Sequence, residues 1–150
     1  MKEIERKFLV DNAKWKLVEK PIPSTIVQGF IAKSETVVVR IRISSGQGFL
    51  TIKGKTKGIS RTEFEYQVPI VEAQQMLDEL TDKRIVKKRY EVKYADHLWE
   101  VDEFEGPLNG LILAEIELKS ETEDFECPPW VTEDVSKDAS FYNAVLIDRC

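Results

Sequence analysis

The strongest constraint on what this chain can fold into is a two-residue alternation of charge that recurs in segment after segment. Glu3 to Val10, read as a strand, puts Glu3, Glu5 and Lys7 on one face and Ile4, Arg6 and Phe8 on the other. Arg40 and Arg42 alternate with Val39, Ile41 and Ile43, and Lys53 and Lys55 lie opposite Leu50 and Ile52. Arg61, Glu63 and Glu65 alternate with Thr62, Phe64 and Tyr66, and Lys87 and Arg89 lie opposite Val86, Tyr90 and Val92. Glu100 and Asp102 flank Val101 beside Trp99, and Glu115 and Glu117 alternate with Ala114, Ile116 and Leu118. A chain built this way must cover its apolar faces and must give its charged faces either water or one another.

Placed in order, the segments predict strands over 3–10, 25–32, 36–44, 49–55, 59–68, 84–94, 98–104 and 111–119, with a loop or helical turn at 11–20 ended by Pro21 and Pro23. Between the fifth and sixth strands the period changes: Val71, Ala73, Met76, Leu77 and Leu80 form a helical stripe over roughly 70–80. A helical turn is expected at 121–125 and a C-terminal helix at 138–149. The fold class is α+β, mainly β, in one domain spanning 1–150: an eight-stranded antiparallel β-barrel with flanking helices.

A sheet with one wet face would also alternate. The charged faces here, however, contain few Ser, Thr, Asn or Gln, and 33% of the chain is charged against a usual quarter. A closed barrel with apolar residues outside, covered by helices, and charge inside accounts for both. Eight basic and eight acidic side chains lie on these faces, so they can neutralise one another. Closely spaced carboxylates repel unless a hard cation lies between them, and clustered Arg and Lys suit a multiply charged anion. Together these point to phosphate chemistry.

Other classes are excluded or disfavoured. A net charge of −5 does not suit a protein that coats nucleic acid or an anionic membrane. No apolar run approaches membrane-spanning length and no signal segment opens the chain; Cys127 and Cys150 read as reduced thiols, so a soluble, cytoplasmic protein is expected. Gly54-Lys55-Thr56 is not a P-loop, because Gly48 stands one residue too early and no helix follows. His97, the only histidine, falls in a turn, and no Cys/His cluster supports zinc.

Glu3-Ile4-Glu5-Arg6-Lys7 matches an ExExK signature, followed in order by Gln28-Gly29-Phe30, Arg40-Ile41-Arg42, Leu50 to Gly54, Arg61 to Glu65, Lys87 to Tyr90, Trp99 to Asp102 and Ala114 to Leu118. In this series the chain resembles the CYTH superfamily, or triphosphate tunnel metalloenzymes, and most of all its small bacterial branch. The resemblance implies an eight-stranded tunnel that hydrolyses a small-molecule triphosphate, most simply inorganic triphosphate, with Mg2+ or Mn2+, as a monomer or homodimer. It implies Glu3, Glu5 and Glu117 as ligands of the main metal, with Glu63, Asp102 and Glu115 as helpers or ligands of a second. Lys7, Arg40, Arg42, Lys53, Arg61, Lys87 and Arg89 form the implied phosphate cradle, with Lys7, Glu5 and Arg61 closest to the chemistry. Alternatives within the same resemblance are a cyclase converting ATP to cyclic AMP and pyrophosphate, and a polyphosphate or nucleotide binder without turnover. Two positions depart from the family pattern. Phe30 stands where small bacterial relatives carry a tyrosine beside the motif lysine, and Ser140 where they carry a basic residue.

Overall fold

The computed structural model describes residues 1–150. Eight antiparallel strands close into a barrel: β1 (Lys2–Val10), β2 (Ser24–Lys33), β3 (Val37–Ser44), β4 (Gln47–Gly54), β5 (Ser60–Val68), β6 (Ile85–Tyr94), β7 (His97–Phe104) and β8 (Ile112–Glu117). The order around the wall is β5-β4-β3-β2-β6-β7-β8-β1, and the β1–β5 pairing closes it, with Glu3 opposite Arg61. A ninth strand, β9 (Val131–Asp134), adds to the far half of β1, where Phe8 lies opposite Asp134. This strand was not expected from the sequence, since four residues after a Cys-Pro-Pro-Trp run carry too little alternation to show.

The hairpins follow from local geometry. Ser45 and Gly46 both adopt positive φ, 51° and 73°, the combination whose twist matches two antiparallel strands, so β3 and β4 are joined by only two residues. Helix α1 (Asn12–Lys16) is capped by Asp11, whose carboxylate accepts from the Lys14 backbone N–H at 2.9 Å. Helix α2 (Ile70–Leu80) buries Ala73 and Leu77 against Ile41, with Val27, Ile43, Leu50 and Val68 around them. Gly48 permits that approach, because a Cβ there would stand 2.4 Å from the Cβ of Ala73.

Two apolar layers cover the outside of the barrel. One is α2 on β2, β3 and β4. The other is an aromatic cluster in which Trp15 of α1, Trp130 and Phe125 pack over Phe8, Trp99, Val101, Ala114 and Ile116. Helices alone were expected to cover the wall, yet much of this second layer is irregular chain between β8 and β9, and no helix forms at 121–125. Tyr66, on the face of β5 opposite its charged residues, is not covered by either layer and is 56% exposed.

The C-terminal segment corrects two further expectations. It is not one helix over 138–149 but a 3-10 turn (Ala139–Phe141), the four-residue α3 (Asn143–Leu146) and a second 3-10 turn (Ile147–Arg149). It also plugs the barrel rather than flanking it. Leu146, Ile147 and Val135 form one buried cluster with Ile85, Phe104 and Leu113, against which Leu9, Phe30 and Phe141 pack. By the two-residue period, Leu9, Ile85, Phe104 and Leu113 share a face with Lys7, Lys87, Asp102 and Glu115. The interior is therefore charged along part of its length and apolar at one end.

Candidate active site

Partners directly across an antiparallel ladder stand on the same face, so the register shows which side chains meet inside. Glu3 faces Arg61, Lys53 faces Glu63, Lys7 faces Glu115, Glu5 faces Glu117, and Arg89 faces Asp102. These positions enclose a cavity of about 1030 Å³ lined by Lys7, Arg40, Arg42, Lys53, Arg61, Lys87 and Arg89 together with Glu3, Glu5, Glu63, Glu115 and Glu117. Of the residues implied for metal or phosphate, Asp102 alone does not line it. Asp102 is fully buried beneath the wall cations, accepting from Arg89 through both oxygens at 2.7 and 2.8 Å and pairing with Lys87 at 2.8 Å.

The interior charges fall into local sets. Lys53 bridges Glu3 and Glu63 at 3.1 and 3.0 Å, and Arg61 reaches Glu3 at 3.3 Å. Burial alone would raise the Glu3 carboxyl, but Lys53 and Arg61 pull it down to about 2. Asp102 is likewise held at about 2 by Arg89 and Lys87 against the opposing effect of burial. Burial pushes the Lys87 ammonium down to about 7 although Asp102 resists it. Glu115, buried between Lys7 at 3.6 Å and Arg89 at 3.9 Å, is held well below the carboxylate range despite its burial. Taking an ion out of water costs several kcal/mol, so these sets persist only because each buried charge has more than one partner.

Two groups break that pattern. The Glu5 carboxylate makes no hydrogen bond or ion pair, and neither does that of Glu117 opposite it. Burial, with Glu115 and Glu3 nearby, pushes the Glu5 carboxyl up to about 8, and burial with Glu3 raises Glu117. Glu5 does not ionise comfortably and is relieved by a divalent cation; Glu117, unpaired and open to solvent beside it, offers further oxygen donors, so the two fit a metal through their charge and donor atoms. No three carboxylate, Cys or His side chains converge on one point in this arrangement. The second is Arg40, which pairs with Glu65 at 3.6 Å and donates from Nη2 to Thr51 at 3.2 Å, yet leaves its buried Nε without a partner. The two terminal nitrogens of Arg42 also lack protein partners, its Nε alone being engaged. Such unmet donors in a cavity suit an anionic ligand.

Lys7 is buried, with its Nζ donating to the Phe141 carbonyl at 3.2 Å. Phe30 lines the cavity opposite Arg40 and packs on the apolar plug. A phenol does reach this neighbourhood from the C-terminal segment: the Tyr142 ring centroid lies 5.9 Å from Lys7 Nζ, and its hydroxyl donates to the Ser136 carbonyl at 3.3 Å. Ser140 faces away, its backbone N–H and hydroxyl both donating to Asp138, whereas Lys137 lines the cavity.

The uncharged polar residues Gln28 and Thr51 fall in the segments that carry the resemblance but were assigned no role. Thr51 links Arg40 to Glu65, donating to that carboxylate at 2.9 Å, and Gln28 and Asn143 join β2 to the C-terminal segment at 2.9 Å. Thr51 shares the face of Lys53, which was the available signal. Asn143 had none, because its placement depends on the plug.

The CYTH domain family matches residues 1–142. An inorganic triphosphatase of Acetivibrio thermocellus is 40% identical over 147 residues, covering 97% of this chain and 93% of that protein. One of Nitrosomonas europaea is 34% identical over 151 residues, covering 97% of each. The crystal structure of an inorganic triphosphatase superposes with a TM-score of 0.68 at 30% identity, covering 97% of this chain and 93% of that one. A Pyrococcus furiosus structure at 20% identity shares the fold, with a TM-score of 0.61 over 80% of each chain. With its closed eight-stranded barrel and inward charge ladders, the chain belongs to the CYTH family.

Proposed function

We propose that this protein hydrolyses inorganic triphosphate to pyrophosphate and phosphate inside the barrel, with Mg2+ or Mn2+ as cofactor. The observation that carries this reading is the convergence of seven cationic side chains on one cavity beside the unpaired carboxylates Glu5 and Glu117. The relatives named inorganic triphosphatases, which match nearly the whole chain, support the same substrate.

Arg40 and Arg42 on β3, Lys87 and Arg89 on β6, and Lys53, Arg61 and Lys7 around them bind and align the phosphate chain. Guanidinium groups offer paired donors to phosphate oxygens. Glu5 and Glu117 are the proposed metal ligands with Glu3, and Glu63 and Glu115 assist. Asp102, among the residues implied as helpers, acts here by holding Lys87 and Arg89 in place. A bound divalent cation supplies neutralisation of phosphate and carboxylate charge. Lys7 and Arg61 stabilise the charge that develops on the transferred phosphoryl group while a water attacks in line. Positioning and fixed charge account for most of the acceleration. The substrate is a small molecule; neither nucleic acid nor a membrane is a partner in this reading. No helix is long and apolar enough to cross a membrane, and two unpaired thiols accord with a cytoplasmic setting.

The test is phosphate release by purified protein from triphosphate, longer polyphosphate, ATP and thiamine triphosphate, each with Mg2+ and Mn2+. Turnover of triphosphate that is abolished by Glu5→Gln is expected. Cyclic AMP and pyrophosphate from ATP would establish the cyclase instead. A second reading, binding without turnover, is favoured by Phe30, an apolar side chain in the lining, and by Lys7, whose ammonium is already engaged by Phe141 and Glu115. Tight triphosphate binding with no product from any substrate would establish it.

A further inference from the structure

Between the two central cations of the cavity runs a chain of amide hydrogen bonds whose direction is fixed by chemistry. Arg42 Nε donates to Gln28 Oε1 at 2.8 Å. Gln28 Nε2 donates to Asn143 Oδ1 at 2.9 Å, and Lys87 Nζ donates to the same oxygen at 3.0 Å. Guanidinium and ammonium groups can only donate, so the Gln28 oxygen must face Arg42 and the Asn143 oxygen must face Lys87. The Gln28 NH2 group then closes the gap, and Asn143 Oδ1 receives two donors, the number its lone pairs allow. Neither amide can be turned without opposing donor to donor.

The chain spans three strands. Gln28 lies on β2, directly opposite Arg42 on β3 and next along the β2 face from Ile26, which is opposite Lys87 on β6. Gln28 and Lys87 are both 0% exposed, so a broken link would leave unpaired polar groups with no water to replace it. Asn143 comes from the C-terminal segment. Its position is set by Leu146 and Ile147 in the apolar plug and by Lys33, whose Nζ donates to the Ala144 carbonyl at 2.7 Å. The plug therefore delivers an acceptor to the cavity wall as well as filling one end of the barrel.

We propose that Asn143 is a positioning residue for the phosphate site, holding Lys87 directly and Arg42 through Gln28 so that their remaining N–H groups point at the bound anion. The inference rests on the triphosphate reading of the cavity. A residue that merely fastens the C-terminal segment would affect stability. A positioning residue affects anion affinity, and it does so jointly with Gln28.

The experiment compares wild type with Asn143→Ala, Gln28→Met and the double variant. It uses calorimetric binding of tripolyphosphate in EDTA, steady-state kinetics with Mn2+, and thermal melting. Gln28→Met keeps the buried volume and leaves Lys87 bonded to Asn143 and Leu146 and Ile147 in the plug, so it decides the matter if Asn143→Ala does not fold. Each folded single variant is expected to weaken tripolyphosphate binding about tenfold, as loss of a hydrogen bond to a charged group does. KM should rise correspondingly with kcat within about threefold, and the double variant should be no weaker than the singles by more than about twofold. Unchanged affinity in a folded single variant, or losses that multiply in the double, overturns the inference while the wild type still binds. Wild type that binds no tripolyphosphate with or without metal overturns the functional reading, and this inference with it.

Discussion

Glu5 is where charge, burial and chemistry meet at a single residue. Its carboxyl sits at about 8 because burial and Glu115 disfavour the anion, whereas an unfolded glutamate ionises near 4.5. Between those values the folded state holds the extra proton, so this group makes stability fall as pH rises from about 4.5 to 8. Glu3 and Asp102, held at about 2, act in the opposite sense, and their contribution is lost as pH falls below the usual carboxylate range. In EDTA, Glu5→Gln is therefore expected to gain stability relative to wild type at pH 8 but not at pH 4, measured by urea denaturation at both. A cation bound at Glu5 must displace that proton. Calorimetry of Mn2+ binding at pH 7 in buffers of different ionisation enthalpy should show about one proton released in wild type and fewer in Glu5→Gln. Arg40, with its Nε unmet inside the wall, is the matching test on the anion side. Arg40→Lys keeps the charge but loses the fork, and a rise in KM for triphosphate of about tenfold is expected.

At the scale of elements, the barrel strands other than β2 were legible because each carries its own period of two. Arg40-Ile41-Arg42 or Glu115-Ile116-Glu117 can be assigned a face without knowing what lies opposite. Helix α2 was legible for the same reason at period 3.6, and its bounds agree with the expected 70–80. The C-terminal segment was not, because Leu146 and Ile147 read equally well as the apolar side of an outer helix. A signal was present elsewhere: the charged faces of β1, β6, β7 and β8 each end in an apolar residue, Leu9, Ile85, Phe104 and Leu113, which together need a cover. Leu146→Ala, at a fully buried position in that cover, is expected to cost about 2–5 kcal/mol in urea unfolding. Gly48→Ala is expected to destabilise by about 1–3 kcal/mol, because the added methyl would force α2 away from the wall.

For the whole molecule, closing the sheet converts harmless surface alternation into a concentrated interior field. The same side chains on an open sheet would be solvated and nearly independent; inside the barrel they are paired, shifted and partly unsatisfied. The charged composition of the site could be read from sequence because strand period alone selects those residues. The division of labour among them could not, since Asp102 beneath Lys87 and Arg89 and Glu5 in the cavity carry similar side chains on similar strands and differ only in what surrounds them. The central claim is that this interior binds triphosphate and metal together. Its most direct test is a crystal structure with Mn2+ and an imido-linked triphosphate analogue that resists hydrolysis, using the anomalous signal to locate the metal. An anomalous peak between Glu5 and Glu117, with phosphate oxygens on Arg40, Arg42, Lys87 and Arg89, is the predicted result. Metal or analogue bound outside the barrel, with the interior ion pairs unchanged, would contradict it.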